Sequence, residues 1–461
     1  MTVPGWLVRN SAPLAIAAAT YALAVGLPAG DPDTYWHIAS GRWMVEHQAL
    51  LREDIFTSTI RGQTYSVGEW LGQVILALAY AAGSWQGIVI LRALLVGCAA
   101  FFLARVARRL GAPWPAAILV VLFALALSKQ AWGDRPQLFS IALFPLVLDL
   151  CFAARGGDRR ALWAVPPLVL LWTNLHGAYA LGIALVGVFA LEAVVQRRAD
   201  ARAFAIATIA SVAASFLDPG ALGLGSAASH VLAPPRFIVE EMPPDVLKPA
   251  GFVFAAFVVG ALAGALVSGG LLLEALLLVP LLWLALSAQR HLHWFAFAAT
   301  PFIAAQAATL WAGLPYRRGR SYPLPPAAQA GLAIALVVGA ALSTLSAPTA
   351  PDEGPYPVAA RETIRTGTGN LLHEYDWGGW LIFHHPERPA FIDGRLFPFI
   401  PAVLDDYVEL TTLRPRWRET LERRAIGEVL LRPERPLAVA LRDLGWRVRA
   451  EGPSFVLLAR P

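Results

Sequence analysis

Along the first three-quarters of the chain, long apolar stretches alternate with short polar breaks. A helix that crosses a bilayer needs about 20 apolar residues. Stretches near that length lie at 12–29, 87–105, 114–128, 137–154, 161–174, 177–195, 203–217, 251–268, 271–288, 294–312 and 327–346. The pattern predicts about eleven transmembrane helices, most of them joined by tight loops. The run 69–83 starts at Glu69 and stops at Gly83-Ser84-Trp85, so it fits either a span or a helix lying on the membrane surface. From about residue 347 the apolar runs shorten to strand length, as in 428–432 and 454–458. Helical stretches, Trp417 to Arg424 and Leu437 to Leu444, lie among them. Strands alternating with helices predict a small α/β domain. The expected division is therefore a transmembrane domain over 1–346, with a first outer loop at 30–86, and an α/β domain over 347–461.

Composition strengthens the membrane reading. The chain is 57% hydrophobic and 15% charged, against about 25% charged in soluble chains. Its net charge of +5 rests on arginine, since lysine occurs only at Lys129 and Lys248. The arginines fall in short clusters between apolar runs, which is the pattern of membrane orientation and not of a nucleic-acid-binding face. Cys98 and Cys151 both sit inside apolar runs and offer neither a disulfide framework nor zinc spacing. No nucleotide-binding loop is present, which argues against a nucleotide-driven pump.

Positive charge also arbitrates the run 69–83. The clusters Arg105/Arg108/Arg109, Arg155/Arg159/Arg160, Arg197/Arg198/Arg202 and Arg317/Arg318/Arg320 all fall on the side of Arg9 if this run does not cross. Cytoplasmic loops carry the excess of arginine and lysine. Segment 69–83 is therefore expected on the outer face. That topology gathers all nine histidines outside, together with Asp31, Asp33, Glu69, Asp134, Asp218, Glu240 and Glu241. It also puts the α/β domain outside the cell membrane, in the periplasm or extracellular space.

Several outer motifs could carry chemistry, and each has a plainer structural reading. Asp31 and Asp33 open the first loop ahead of a helix to about His47, with Asp33 as its N-cap and His37 one turn on. The pair could act as a base or hold Mg²⁺ or Mn²⁺; the alternative is capping among interfacial aromatics. Arg135, after Asp134, could grip a phosphate or pair with its neighbour. Asn174 and His176 lie between two spans, where polar groups suggest function, yet they could also satisfy helix ends. Arg290 and His291 add cationic character at the end of a further span, as a ligand site or as interfacial anchors. Loop 218–250, long and proline-rich, reads as a cover or a connector. In the α/β domain, 374–380 (Glu-Tyr-Asp-Trp-Gly-Gly-Trp) and 391–395 (Phe-Ile-Asp-Gly-Arg) place acids and aromatics on glycine turns.

Taken together, the layout resembles the GT-C superfamily of membrane glycosyltransferases. Asp33-Thr34-Tyr35-Trp36-His37 is similar to the acid-x-Tyr-aromatic-His stretch of archaeal oligosaccharyltransferases. The acidic loop start with Ala39 and Met44 is similar to the protein mannosyltransferase and aminoarabinose transferase branch. Segment 69–83 resembles the interfacial helix closing that loop. Tyr375-Asp376-Trp377-Gly378-Gly379 partly resembles an oligosaccharyltransferase acceptor motif, with a different order. The loop motifs as a set also look like a bacterial group of uncharacterised GT-C-like proteins. The resemblance implies inverting transfer of a sugar from a polyprenyl-phosphate donor to a protein, lipid or glycan acceptor at the outer face of the inner membrane. It implies Asp33 as base, with Asp31 its partner or a metal ligand. Arg135, His176, Arg290 and His291 would take the lipid phosphate, and Asp376 and Trp377 the acceptor. His37, Glu69 and Asn174 are further candidates. The rival is a lipid or glycan transporter or flippase, whose charged residues would lie inside the spans, as Asp149, Glu192 and Glu274 do.

Overall fold

The computed structural model describes residues 4–64, 68–219, 242–245, 247–268, 271–313 and 325–461. The chain forms two compact units: Met1–Leu27 with Val89–Pro348, and Pro28–Ile88 with Thr349–Pro461. The first is a bundle of apolar helices. The second joins the first loop of the sequence to the C-terminal segment.

In the helical unit, α1 (Gly5–Val25) packs along α12 (Pro326–Ser343), the first helix against the last. Between them come the part 89–109 of α3 (Trp70–Arg109), α4 (Trp114–Ser128), α5 (Gln137–Arg155), α6 (Val165–Leu175), α7 (Tyr179–Val195), α8 (Ala201–Ser215), α9 (Pro249–Ser268), α10 (Leu271–Ser287) and α11 (Leu292–Gly313). Each apolar stretch of the sequence thus overlaps a helix. Among the described residues, four helices are long and apolar enough to cross a membrane: Trp70–Arg109, Trp114–Ala131, Gln137–Arg155 and Pro326–Ser346. Leu23, Ile209, Phe252, Val259 and Leu345 are each more than half exposed. So much outward apolar side-chain surface on helices fits lipid as solvent and not water.

The unit's acids sit where cations can meet them. Asp149 receives Arg109 Nε at 2.6 Å and pairs with Arg105 at 3.1 Å. Glu192 receives Arg155 at 2.9 Å, and Arg198 pairs with Asp200 at 2.8 Å. Two of the three acids within spans are therefore held by the arginine clusters at helix ends. The cluster Arg317/Arg318/Arg320 lies outside the described residues, as do His230 and, in the loop 218–250, residues 220–241 and 246.

In the other unit, α2 (Asp33–His47) is followed by the arm 70–82 of α3. α3 is broken at Gly83 and Ser84, where φ is −148° and 52°. The chain then turns back so tightly that a Cβ on Gly87 would overlap the Ala79 carbonyl. The run 69–83 is thus a separate helical arm set against the start of the next. Gly41 of α2 meets the Gln73 backbone just as closely.

The C-terminal segment of this unit builds a four-stranded sheet of order β1-β2-β4-β3, from β1 (Asn370–His373), β2 (Ile426–Leu431), β3 (Arg447–Gly452) and β4 (Phe455–Ala459). β1 and β2 pair in parallel, and the other pairings are antiparallel. The apolar runs expected as strands are β2 and β4, both central and fully buried at Val429, Leu430, Val456, Leu457 and Leu458. Helices Trp417–Arg423 and Pro436–Asp443 lie within a residue of their expected limits.

Gly87→Val should lower the unfolding midpoint in detergent by several degrees, since overpacking of this kind costs about 1–3 kcal/mol. Gly83→Ala meets open space and should leave the midpoint nearly unchanged. Tryptophan fluorescence against temperature distinguishes the two.

Candidate active site

In the loop unit, α2 begins at Asp33, whose own backbone N–H donates to Asp31 Oδ1 at 2.9 Å. Asp31, and not Asp33, therefore supplies the carboxylate that caps this helix, because only a residue ahead of the first turn can reach its unpaired N–H groups. Asp33 Oδ1 accepts the indole N–H of Trp36 at 3.0 Å, one turn on. His37 is buried with its ring against Trp36, centroids 3.5 Å apart. Glu69 stands just ahead of α3, its carbonyl accepting the Gln73 N–H at 3.0 Å.

Two C-terminal motifs close on this helix start. A Cβ on Gly394 would overlap the Asp33 carboxylate, and one on Gly379 would press the Pro32 carbonyl and the Trp36 ring. A Cβ on Gly378 would strike the backbone at Ile392 and Asp393. The glycines at 378, 379 and 394 are what allow three stretches of backbone to touch. Asp31/Asp33 and the 374–380 and 391–395 turns thus come together, although more than 300 residues separate them in the chain.

A buried cation fixes this junction. Arg395 pairs with Asp393 at 2.5 Å and with Asp54 at 2.6 Å, and all three side chains are essentially inaccessible. The Thr57 N–H and hydroxyl both donate to Asp54 Oδ2, at 3.0 and 2.7 Å. Arg395 also lies over the rings of Phe56 and Phe399. Bonds to the backbone at 390–391 continue the seam: Ala390 N–H to Phe56 O at 3.0 Å, Ser58 N–H to Ala390 O at 2.9 Å, and the Thr59 hydroxyl to Phe391 O at 2.7 Å. The sequence singled out Arg395 and Asp393 within a motif but missed Asp54, which no spacing rule links to them.

The remaining polar groups sort by burial. Asp376 is exposed and lies 3.5 Å from Arg432. Trp377 is fully buried and its N–H donates to Pro355 O at 2.9 Å, so its ring is core and its indole is committed. Glu374 is buried; against the burial that would raise it, Arg435 and Arg432 hold its carboxyl below the ordinary range. Burial raises the Tyr375 hydroxyl above its ordinary range, and Asp33, Asp393 and Asp376 push it the same way. Tyr356 is raised likewise by burial, then by Tyr35, Asp31, Asp33 and Asp376. Both phenols stay protonated beside the acids, as hydrogen-bond donors without charge. Among the described residues, no group of three or more His, Cys, Asp or Glu is placed to hold a metal ion. A divalent cation on Asp31 and Asp33 would need further oxygens from elsewhere.

The helical unit carries a second cluster. Asp134 pairs with Arg92 at 2.9 Å, both buried, an ion pair that runs across helices. Arg92 also donates to the carbonyls of Ala24 and Leu27 at the end of α1. Arg135 and Arg290 lie close enough to His176 to lower its affinity for a proton, after burial as the main cause. His293 belongs to the same 290–293 motif of the sequence, though not chosen there as a site residue; it is buried in the first turn of α11, with Arg135, His176, Arg290 and His291 as its charged or titratable neighbours. Asn174 donates its side-chain N–H to Leu170 O at 2.8 Å, one turn back within α6. Four of the sequence candidates, Arg135, His176, Arg290 and His291, thus form one group.

With this geometry, the chain has the fold of the GT-C membrane glycosyltransferases. Oligosaccharyltransferase of Archaeoglobus fulgidus in the apo form superposes with a TM-score of 0.65 at 12% identity, over 92% of this chain and 69% of that one. The same enzyme tethered to an acceptor peptide containing the NVT sequon gives 0.61 at 13%, with the same coverage. ArnT, an aminoarabinose transferase from Cupriavidus metallidurans, bound to undecaprenyl phosphate, gives 0.54 at 14%, over 99% of this chain and 98% of that one. No protein-family model and no curated protein sequence matches the chain.

Removing the shared cation with Arg395→Met should destabilise the loop unit by about 3–5 kcal/mol, because two carboxylates are left buried without it; chemical denaturation of the purified protein measures this. His373 gives a pH test. It is fully buried, its Nε2 accepts the Phe391 N–H at 2.8 Å, and its Nδ1 lies 2.8 Å from Glu374 O. Burial lowers it to about 4, against the smaller upward pull of the Glu374 carbonyl. The folded state therefore holds His373 neutral where the unfolded chain protonates it. Stability should be full above about pH 6.5 and fall as pH drops toward 4, by roughly 3 kcal/mol from this residue. His373→Gln should flatten that part of the stability profile.

Proposed function

We propose that this protein is a membrane glycosyltransferase that moves a sugar from a polyprenyl-phosphate-linked donor to a protein, lipid or glycan acceptor at the outer face of the inner membrane. The observation that carries this reading is the junction at Asp33, where an acidic helix start is pressed against two turns by glycines that serve no purpose in a simple connector. The GT-C fold supports it, as does undecaprenyl phosphate bound to ArnT, a neighbour matched over 98% of its own chain.

In this reading Asp33 takes the proton from the acceptor's nucleophilic atom as that atom attacks the anomeric carbon. The bond to the phosphate oxygen breaks with inversion, and polyprenyl phosphate leaves. Asp31 holds the helix start that aims Asp33, and a divalent ion shared by the two would draw on the donor's phosphate oxygens. Arg135, His176, Arg290 and His291 bind the phosphate, whose charge grows as the sugar departs. Asp376, exposed beside Arg432, contacts the acceptor, while Trp377 braces that turn from beneath. His37 supports Trp36 under Asp33, Glu69 marks the start of the surface helix, and Asn174 closes the helix before His176. The architecture proposed is eleven spans, with the arginine clusters cytoplasmic, the arm 70–82 on the surface and the C-terminal domain periplasmic or extracellular. The transporter reading loses its main support once Asp149 and Glu192 are paired with helix-end arginines.

Asp33→Asn should reduce transfer from a radiolabelled polyprenyl-phosphate sugar by at least about a hundredfold with the folded fraction unchanged. Undiminished turnover in that variant would refute the base assignment. Uptake of lipid-linked sugar into vesicles without transfer would instead favour the transporter.

A further inference from the structure

The arginine clusters of the helical unit look alike in sequence, yet their side chains are put to different uses. Arg105 and Arg109 are taken up by Asp149. Arg108 lies 4.3 Å from the centroid of the Trp114 ring and donates to the Ala112 carbonyl. The next two clusters are instead drawn together. Arg198 donates to the Arg155 carbonyl at 2.9 Å, which ties the loop after α7 to the end of α5. Arg155 meets Glu192 at 2.9 Å, and Arg198 meets Asp200 at 2.8 Å. Glu192 and Asp200 are buried, so both acids are used inside this joint. Arg159, Arg160, Arg197 and Arg202 are exposed around it, and among the described residues none of the four makes a side-chain hydrogen bond or ion pair. Asp158 is the one exposed acid between residues 155 and 202. Four positive charges therefore stand against one negative charge.

Apolar surface lies beside these charges. Arg159–Ala164 is a short 3-10 helix packed against α5, α6 and α8. Three residues per turn put Arg160 and Trp163 on one line of that helix. Trp163 is 70% exposed, and Val194 and Val195 in the last turn of α7 are each more than half exposed. Indole rings favour the border between hydrocarbon and headgroups, where one part of the ring is apolar and another wet. Cations next to such a ring fit a phosphate that is carried on acyl chains. A water-soluble anion would use the arginines and leave the indole without a role.

We infer that the joined ends of α5, α7 and α8 form a binding surface for an anionic phospholipid of the bilayer, with Arg159, Arg160, Arg197 and Arg202 facing its headgroup and Trp163 its glycerol and upper acyl chains. The surface uses none of the residues assigned to sugar transfer, so it stands or falls apart from that activity.

Native mass spectrometry of the full-length protein in a neutral detergent tests this, with phosphatidylglycerol and phosphatidylcholine of the same acyl chains offered in equal amounts. The unaltered protein should retain phosphatidylglycerol in preference. Arg159→Gln, Arg160→Gln and Arg202→Gln together should weaken its binding about a hundredfold, since each cation near a lipid surface contributes about a factor of five. The corresponding triple lysine variant keeps the charge and should keep the preference. Arg414→Gln, Arg416→Gln and Arg418→Gln together make the same change of net charge on exposed residues of the other unit and should leave the preference intact. Trp163→Ala should lower retention of both lipids and spare the choice between them. Equal retention of the two lipids by the unaltered protein overturns the inference without any variant. So does equal loss in the two glutamine variants, which would mean attraction to net charge alone. Displacement of phosphatidylglycerol by an equal concentration of inorganic phosphate would overturn it in favour of a soluble anion, and equal retention of undecaprenyl phosphate in the 159/160/202 glutamine variant would show that lipid to bind elsewhere, as the inference expects.

Discussion

Arg395 carries a full charge into a place closed to water, and two carboxylates from opposite ends of the chain meet it there. An unpaired ion so placed would be strongly destabilising, so the segments that bear Asp54 and Asp393 are held together or the unit does not form. Everything near Asp33 follows from that constraint. The seam of backbone bonds at 390–391 aligns the first loop with the C-terminal segment. Glycines at 378, 379 and 394 then let the backbones close until only a carboxylate fits between them. The exact placing of Asp33 is thus a consequence of charge pairing at one position and missing side chains at three others.

The helical unit meets the same problem of charge in an apolar setting by a different route. Asp149 and Glu192 are held by the arginine-rich ends of helices, and Arg92 ties Asp134 to the carbonyl end of α1. Charge is neutralised at the margins of the bundle, which lets the outward faces remain apolar. The basic group of Arg135, His176 and Arg290 stands apart in character. It gathers cations and imidazoles about one another.

Both clusters also rely on donors that carry no charge. Tyr356 and Tyr375 keep their protons beside several carboxylates, because burial and those negative neighbours oppose ionisation. His176 stays neutral because burial and two guanidinium groups oppose a further positive charge. A neutral donor can direct an oxygen without altering the local charge balance.

The positions of the helices were legible in the sequence, since apolar length and periodicity are local properties. The strands β2 and β4 and the two C-terminal helices were legible for the same reason. The candidates Asp31, Asp33, Arg135, His176, Arg290, His291 and Asp376 could be named because they stand in the short polar breaks between apolar runs or on the glycine turns of the C-terminal segment. Their partners could not. Asp54 with Arg395, Arg92 with Asp134, and Ser140 with His176 are separated by 341, 42 and 36 residues. No local spacing encodes such pairs, because the contact exists only once distant backbone is brought together. For the same reason the sequence set Asp33 as the helix cap where the fold uses Asp31, and offered Trp377 as a contact surface where packing makes it core. Composition and periodicity determined which solvent each segment prefers; which polar groups face one another was decided by packing, through the closeness that glycine backbones and buried ion pairs impose.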